Sequence, residues 1–198
     1  MDRTPLTLLH VDEHVVVVAK PSGLAVHRGW SNDGVPLLQR LRDQLGRYVY
    51  PVHRIDRAAS GAVLFALDAE AASFLGKALM AVSFRKEYLA LVRGRMEGRG
   101  IVDHAIPRSP EAPERIDAQT EVAALATSPV ERCTLVWARP ITGRLHQIRR
   151  HLKHLSHPIL GDVRYGDGKM NRQVKASCGL ERMALHAHRL RFPHPLGH

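Results

Sequence analysis

Between His53 and Gly61 the chain reads HRIDRAASG. One carboxylate, Asp56, stands between two guanidinium groups, Arg54 and Arg57, and a serine–glycine pair leads into the apolar run AVLFAL. Two fates are open to such a carboxylate: a structural ion pair with Arg54 or Arg57, or a part in chemistry. In an extended segment side chains alternate between faces. Arg54 and Asp56 then point one way, and His53, Ile55 and Arg57 the other. Because an apolar strand follows at once, Asp56 is expected at the lip of the core, where a carboxylate must be paired or hydrogen-bonded. Ser60 is not expected to act as a nucleophile, since RAASG lacks the GxSxG elbow that exposes a catalytic hydroxyl.

A second chemical stretch is TGRLHQIRRHLKHLSHP, from Thr142 to Pro158. On a helical wheel Leu145, Ile148, Leu152 and Leu155 form one apolar face. Arg150 falls opposite that face, in solvent, whereas Arg149 lies at its flank and can be partly buried. An arginine, always charged and forked, suits a buried carboxylate better than a lysine does, and Asp56 is the acid assigned to it. Arg150, Lys153 and His154 form an outer stripe that fits phosphate contacts; a plain solvated helix face accounts for it equally well. Histidines 151, 154, 157, 186 and 188 do not read as a metal site, because no Cys or Glu joins them at ligand spacing and His151 and His154 sit on a basic face. Tyr88, in RKEYLALVRG, shares a strand face with Lys86, Ala90 and Val92. Packing in the core or at an edge is the ordinary fate of such a tyrosine.

The elements that must position these residues are legible from periodicity. LTLLHVDEHVVVVAKPSG reads as two strands around an Asp12–Glu13 turn, the second a continuous β-branched run stopped by Pro21, Ser22 and Gly23. Leu38, Leu41 and Leu45 recur at helical spacing, with Pro36 near the start and Gly46 just past the end. GAVLFAL is another buried strand, and Asp68 can cap a helix carrying Ala71, Phe74, Leu75, Ala78 and Leu79. RKEYLALVRG, TEVAALA, CTLVWARPITG and ERMALHAHRLRF add strands, and a helix is expected from about Leu145 to Leu155. Most neighbouring strands lack a crossover helix. The fold class expected is therefore α/β of the α+β type, a mixed, largely antiparallel sheet with flanking helices.

Composition bounds the partners. Lys and Arg number 29 against 19 Asp and Glu, a formal charge of +10 over 198 residues. Such an excess points to a polyanion, whose neutralised phosphates release counterions. No basic amphipathic stretch with bulky aromatics points to a membrane surface. The longest apolar run, VVVVA, is far too short to span a bilayer. Cys133 and Cys178 form no CxxC or metal pattern and are expected as buried, inert thiols of a reducing compartment. No signal-peptide h-region is visible, and the chain is expected to be cytoplasmic.

Taken together, the motifs resemble those of RluA-type pseudouridine synthases. HRIDRAASGAVLFA is similar to that family's HRLD…SG motif, VVVVAKPSGLAVH to its KPSG element, and RKEYLALVRG to its K-x-Y strand. TGRLHQIRRHL…HPILGDVRYG resembles the TGRxHQ(I/L)R…HPIxGDxxYG block, and MALHAHRLRFPHP the closing LHA element. These segments run in order from Leu6 to Pro195; Ile55 stands where the family usually has leucine. The resemblance implies a pseudouridine synthase catalytic fold in a single domain over residues 1–198, C-terminally short, with no S4-like domain. It implies isomerisation of uridine in RNA to its C-glycoside, with no cofactor and no metal.

Asp56 then aligns with the essential aspartate, acting by attack on the sugar C1′ or the base, or by stabilisation and proton transfer in a glycal route. Arg149 aligns with the basic residue that pairs with it, which favours the ionised carboxylate. Tyr88 aligns with the tyrosine that stacks on the target base, and Arg54 with the arginine that fills the space of the extruded nucleotide. Arg57, Arg144, His146, Arg150 and Lys153 are expected RNA contacts. Details such as AVHRGW and GDGKMNR are most similar to a branch that modifies one uridine of tRNA. 23S rRNA is the alternative substrate, and a catalytically idle RNA-binding module a third reading. Loops at Trp30–Pro36 and Arg164–Cys178 are expected to select the substrate, and the protein is expected to be a monomer.

Overall fold

Strand β2 (Val15–Lys20) explains its own unbroken β-branched sequence. It is buried along nearly its whole length, so no alternation of polar and apolar residues is needed. It follows β1 (Leu8–Val11) through the expected turn, in which Asp12 Oδ1 accepts the backbone N–H groups of His14 and Val15, both at 2.8 Å. The computed structural model describes residues 4–28, 34–81, 83–109, 112, 114–128, 130 and 132–197. The part of the expected substrate-selecting loop from Trp30 to Asp33 lies outside them.

The chain divides into two compact units: Met1–Lys86 with Ala187–His198, and Glu87–His186. In the first, helix α1 (Leu37–Leu45) ends at Gly46 with φ 63°, as the glycine past the leucine repeat predicts. β3 (Tyr50–Pro51) and β4 (Ser60–Ala66) follow. β4 pairs antiparallel with both β2 and β3, and β1 pairs antiparallel with β2. Helix α2 (Ala69–Ala78) is capped by Asp68, whose side chain accepts the N–H of Ala71 at 2.7 Å. Ala71 and Leu75 pack with Val15, Val17, Leu64 and Phe84 as the core of this unit. Each fully buried aliphatic side chain there contributes about 1.5–3 kcal/mol. Phe74, expected on the same face, is instead exposed.

Strand β5 (Arg85–Arg93) carries the chain into the second unit. β6 (Arg99–Asp103), the short pair β7 (Ile106–Pro107) and β8 (Arg115–Ile116), β9 (Gln119–Ser128) and β10 (Cys133–Pro140) come next. β10 pairs with β5 and β9, and β6 with β9, all antiparallel. Helix α3 spans Gln147–His154, helix α4 Gly168–Cys178, and β11 Leu185–Arg191 closes the order. The largely antiparallel, helix-flanked architecture is the one expected.

Three further expectations need correction. The stretch Arg164–Cys178 is not all loop: α4 occupies most of it, capped by Asp167, whose side chain accepts the N–H groups of Lys169 and Met170. Cys178 is exposed at the end of that helix, and only Cys133 is buried. Leu145 lies ahead of α3 and is 41% exposed, so the helix's apolar face is carried by Ile148 and Leu152.

Candidate active site

Asp56 sits on the loop that joins β3 to β4, and that loop is tied down on both sides. At its start the strand ladder is continued by a side chain: Val52 N–H donates to Leu64 O at 3.3 Å, and His53 Nε2 accepts Leu64 N–H at 3.1 Å. The buried imidazole packs edge-on to Phe84 at 5.8 Å. Burial, with Lys86 adding to it, pushes His53 down to about 3, so the ring is neutral and free to accept. At the loop's end Gly61 has φ +113°, and a Cβ there would lie 2.3 Å from Ala187 O. Only glycine fits such a contact.

The underside of the loop is a knot with the KPSG turn. Lys20, the register partner of Gly61, is 1% exposed. Its Nζ donates to the carbonyls of Pro21 (2.8 Å), Leu24 (2.7 Å) and Arg57 (3.1 Å). Ser22 Oγ donates to Ala58 O at 2.6 Å, Gly23 N–H to Arg57 O at 2.8 Å, and Arg57 Nε back to Gly23 O at 2.9 Å. The carbonyl just after Asp56 is therefore fixed from two directions. Burial pushes the Lys20 ammonium down to about 8; the charge of Asp56 opposes the fall and Arg57 adds to it. Lys20 is a residue that sequence reasoning missed.

The predicted alternation holds from His53 to Asp56: His53 and Ile55 are buried, Arg54 is exposed and Asp56 is half-buried at the surface. It fails at Arg57, which is exposed because the chain turns there. Arg54 Nη1 lies 3.1 Å from His27 Nε2. The tied-down loop thus presents a half-buried carboxylate between two exposed arginines.

In the second unit Tyr88 is buried on β5, paired across the sheet with Ala138. Arg149, on α3, is 7% exposed, as its flank position predicts. Its Nε and Nη2 donate to Asp162 Oδ2 and Oδ1 at 2.7 and 2.9 Å. Burial alone would raise the Asp162 carboxyl, but Arg149 and the backbone N–H groups of Tyr165 and Arg164 hold it below the usual range. Sequence reasoning gave Arg149 one acid, Asp56, and did not find Asp162.

Arg150 is not a solvated outer residue. It is half-buried, with Nη1 donating to Pro107 O at 2.6 Å and Nε to Tyr165 Oη at 3.1 Å. His146 precedes α3 in the left-handed region at φ 53° and has Nδ1 3.1 Å from the same hydroxyl. Strained non-glycine residues cluster at functional sites. Arg144 is exposed, with Nε donating to Asp117 O at 3.1 Å, and Lys153 is exposed.

His151, placed on the basic face by the wheel, is instead fully buried. It ends a relay in which Gln147 Nε2 donates to Thr120 Oγ1 (2.9 Å), Thr120 to His151 Nδ1 (2.9 Å), and His151 Nε2–H to His104 O (3.0 Å). The glutamine of the TGRLHQ segment therefore anchors α3 to β9. Among the described residues no group of three or more His, Cys, Asp or Glu could hold a metal ion. No described helix is long and apolar enough to cross a membrane.

Comparison with known proteins bears on the same segments. The family model described as RNA pseudouridylate synthase matches residues 14–154, a span that includes Lys20, Asp56, Tyr88 and Arg149. The tRNA pseudouridine synthase C of Pasteurella multocida is 40% identical, over 96% of this chain and 87% of its own. That of Vibrio parahaemolyticus is 38% identical, over 96% and 85%. Among solved structures, human RNA Pseudouridylate Synthase Domain Containing 1 superposes with a TM-score of 0.83 at 26% identity, covering 98% of this chain and 81% of that one. Human RNA Pseudouridylate Synthase Domain Containing 4 gives 0.73 at 27%, covering 92% and 82%. A stapled carboxylate loop, a buried forked arginine and a match of this extent lead to one conclusion: the chain belongs to the RNA pseudouridylate synthase family.

Proposed function

We propose that the protein isomerises a uridine of tRNA to pseudouridine, with Asp56 as the catalytic carboxylate, Arg149 as the basic catalytic residue, and Tyr88 as the ring that stacks on the target base. The observation that carries the reading is the knot around the HRIDR loop, in which Lys20, Ser22 and Gly23 fix the backbone on the C-terminal side of Asp56. A carboxylate used only in a surface ion pair needs no such support. The choice of tRNA rests on the relatives named tRNA pseudouridine synthase C and on the excess of basic residues.

The reaction needs little beyond placement. The C1′–N1 glycosidic bond breaks, the uracil turns, and a C1′–C5 bond forms. The C5 proton leaves to solvent and N1 takes one up, so atoms and electrons balance within the nucleotide. The carboxylate answers the positive charge that develops at C1′ as the glycosidic bond breaks. A uridine in a helix must first leave its stack. Arg54, exposed two residues before Asp56, is proposed to take its place, and Arg57, Arg144, His146, Arg150 and Lys153 to contact the RNA.

Pseudouridine mapping in tRNA and 23S rRNA from cells with and without the gene tests the reading. One tRNA position is expected to revert to uridine when the gene is absent. Loss confined to rRNA would overturn the choice of tRNA, and no loss in either would overturn the activity.

A further inference from the structure

Where β6 leads into the β7–β8 pair, two imidazoles and a guanidinium meet. The His104 and His154 rings lie face to face, their centroids 3.6 Å apart and their planes within 12°. Arg115 Nη2 lies 2.8 Å from His104 Nε2 and also donates to Ala105 O. Arginine only donates. His104 Nε2 is therefore the acceptor, its proton sits on Nδ1, and the ring is neutral in this arrangement. His154 and Arg115 are exposed and His104 is half-buried. Among the described residues none of these three side chains bonds a carboxylate.

The frame does not depend on the stacked rings. His104 O accepts His151 Nε2–H at 3.0 Å, His104 N–H donates to Ala118 O at 3.1 Å, and Arg150 Nη1 donates to Pro107 O at 2.6 Å. The rings are thus free to part while the backbone stays in place. The other charged groups on these elements are largely engaged. His151 is buried, and burial pushes its imidazole below the usual value. Asp103 Oδ2 accepts from Gln119 Nε2 at 2.9 Å, and Glu114 pairs with Arg108 at 3.4 Å. Asp117 and Lys153 are exposed. Burial, His154 and Arg115 together push the His104 imidazole below its usual value. An anion brought to Arg115 reverses that balance, because opposite charge favours the imidazolium. Phosphate suits a site of forked guanidinium and imidazole donors.

We propose that His104, His154 and Arg115 form a proton-linked phosphate site for the RNA backbone: without RNA the rings are stacked and neutral, and a phosphate held by Arg115 draws about one proton from solvent onto the pair. The inference rests on the RNA substrate given under Proposed function. No covalent bond changes, and the proton returns to solvent when the RNA leaves.

Dissociation constants for tRNA are measured from pH 8 to pH 6 at fixed salt, for wild type and for the double variant His104→Asn/His154→Gln. At pH 8 the two are expected to agree within about twofold. At pH 6 wild type is expected to bind about 10-fold more tightly, since uptake of one proton changes log affinity by up to about 1 per pH unit. Parallel pH profiles overturn the inference, and pseudouridine formation by the same wild-type protein leaves the proposed function standing. Wild type that neither binds tRNA nor forms pseudouridine overturns both. A second measurement decides the matter should the double variant not fold. Histidine Cε1–H signals of wild type at pH 7 are followed by NMR, with His104→Asn and His154→Gln singly for assignment. At least one of the two signals is expected to move to the imidazolium position when tRNA is added. Signals that both stay at the neutral position overturn the inference.

Discussion

Replacing Lys20 with methionine removes an ammonium that bonds three carbonyls, and the structure sets the size of the effect. Arg57 O keeps its second donor, Gly23 N–H, whereas the Pro21 and Leu24 carbonyls lose the lysine. A buried acceptor deprived of its donor costs about 1–3 kcal/mol, hence about 2–6 kcal/mol for two. Against this stands the burden of burying the charge. A fall from 10.5 to about 8 disfavours the protonated lysine by about 3 kcal/mol. The two nearly offset, and Lys20→Met is expected to lose no more than about 3 kcal/mol at pH 7. The sign reverses nothing at higher pH. Because the folded pKa lies below the unfolded one, the folded state binds fewer protons between pH 8 and 10.5, and wild-type stability gains up to about 3 kcal/mol over that window relative to the variant. Urea unfolding at pH 7 and pH 10 measures both gaps. Single-turnover rates on tRNA measure the loosened loop, which is expected to slow the reaction about 10- to 100-fold. A variant that folds as well as wild type and reacts as fast would refute the claim that this lysine holds the Asp56 loop.

Other expectations follow from the same side chains. His53→Gln should flatten the acid limb of stability: the unfolded imidazole protonates at the ordinary 6.5 and the folded one only near 3, so wild type loses about 2 kcal/mol between pH 6.5 and 5 that the variant keeps. Equal urea midpoint shifts in the two proteins would contradict it. Gly61→Ala should cost more than about 3 kcal/mol, since its φ of +113° and the 2.3 Å approach to Ala187 O leave no room for a methyl group; an unchanged melting temperature would rule this out. Lys153→Ala, on the exposed face of α3, should lower the slope of log affinity for tRNA against log salt by about 1 and leave kcat unchanged. A parallel slope would remove Lys153 from the RNA contact.

The strands that frame the loop were legible because their burial is written in composition. β2 and β4 are buried along nearly their whole length and read as continuous apolar runs. The alternation at HRID was legible for the same geometric reason, and it ended where the backbone turned at Arg57. Lys20 left no periodic mark. Its acceptors come from a turn just behind it and from Arg57, 37 residues on, a contact that only the folded chain creates. Asp162 was hidden in the same way, as one acid in a loop of arginine, tyrosine and glycine. Helix α4 carried both its cap signals, Asp167 and Gly179, but only Met170 and Val174 are buried on it, too narrow a stripe to stand out from a loop. His151 misled the wheel because its polar ring is buried against polar partners, Thr120 and the His104 carbonyl, rather than against apolar ones.

The most direct measurement is tritium release from tRNA carrying uridine labelled at C5, with wild type and Asp56→Asn side by side and tRNA binding measured for both. Wild type is expected to release the label as the C1′–C5 bond forms. Asp56→Asn is expected to bind tRNA within a small factor of wild type and to release no label above background. Release by Asp56→Asn at the wild-type rate would contradict the role assigned to this carboxylate.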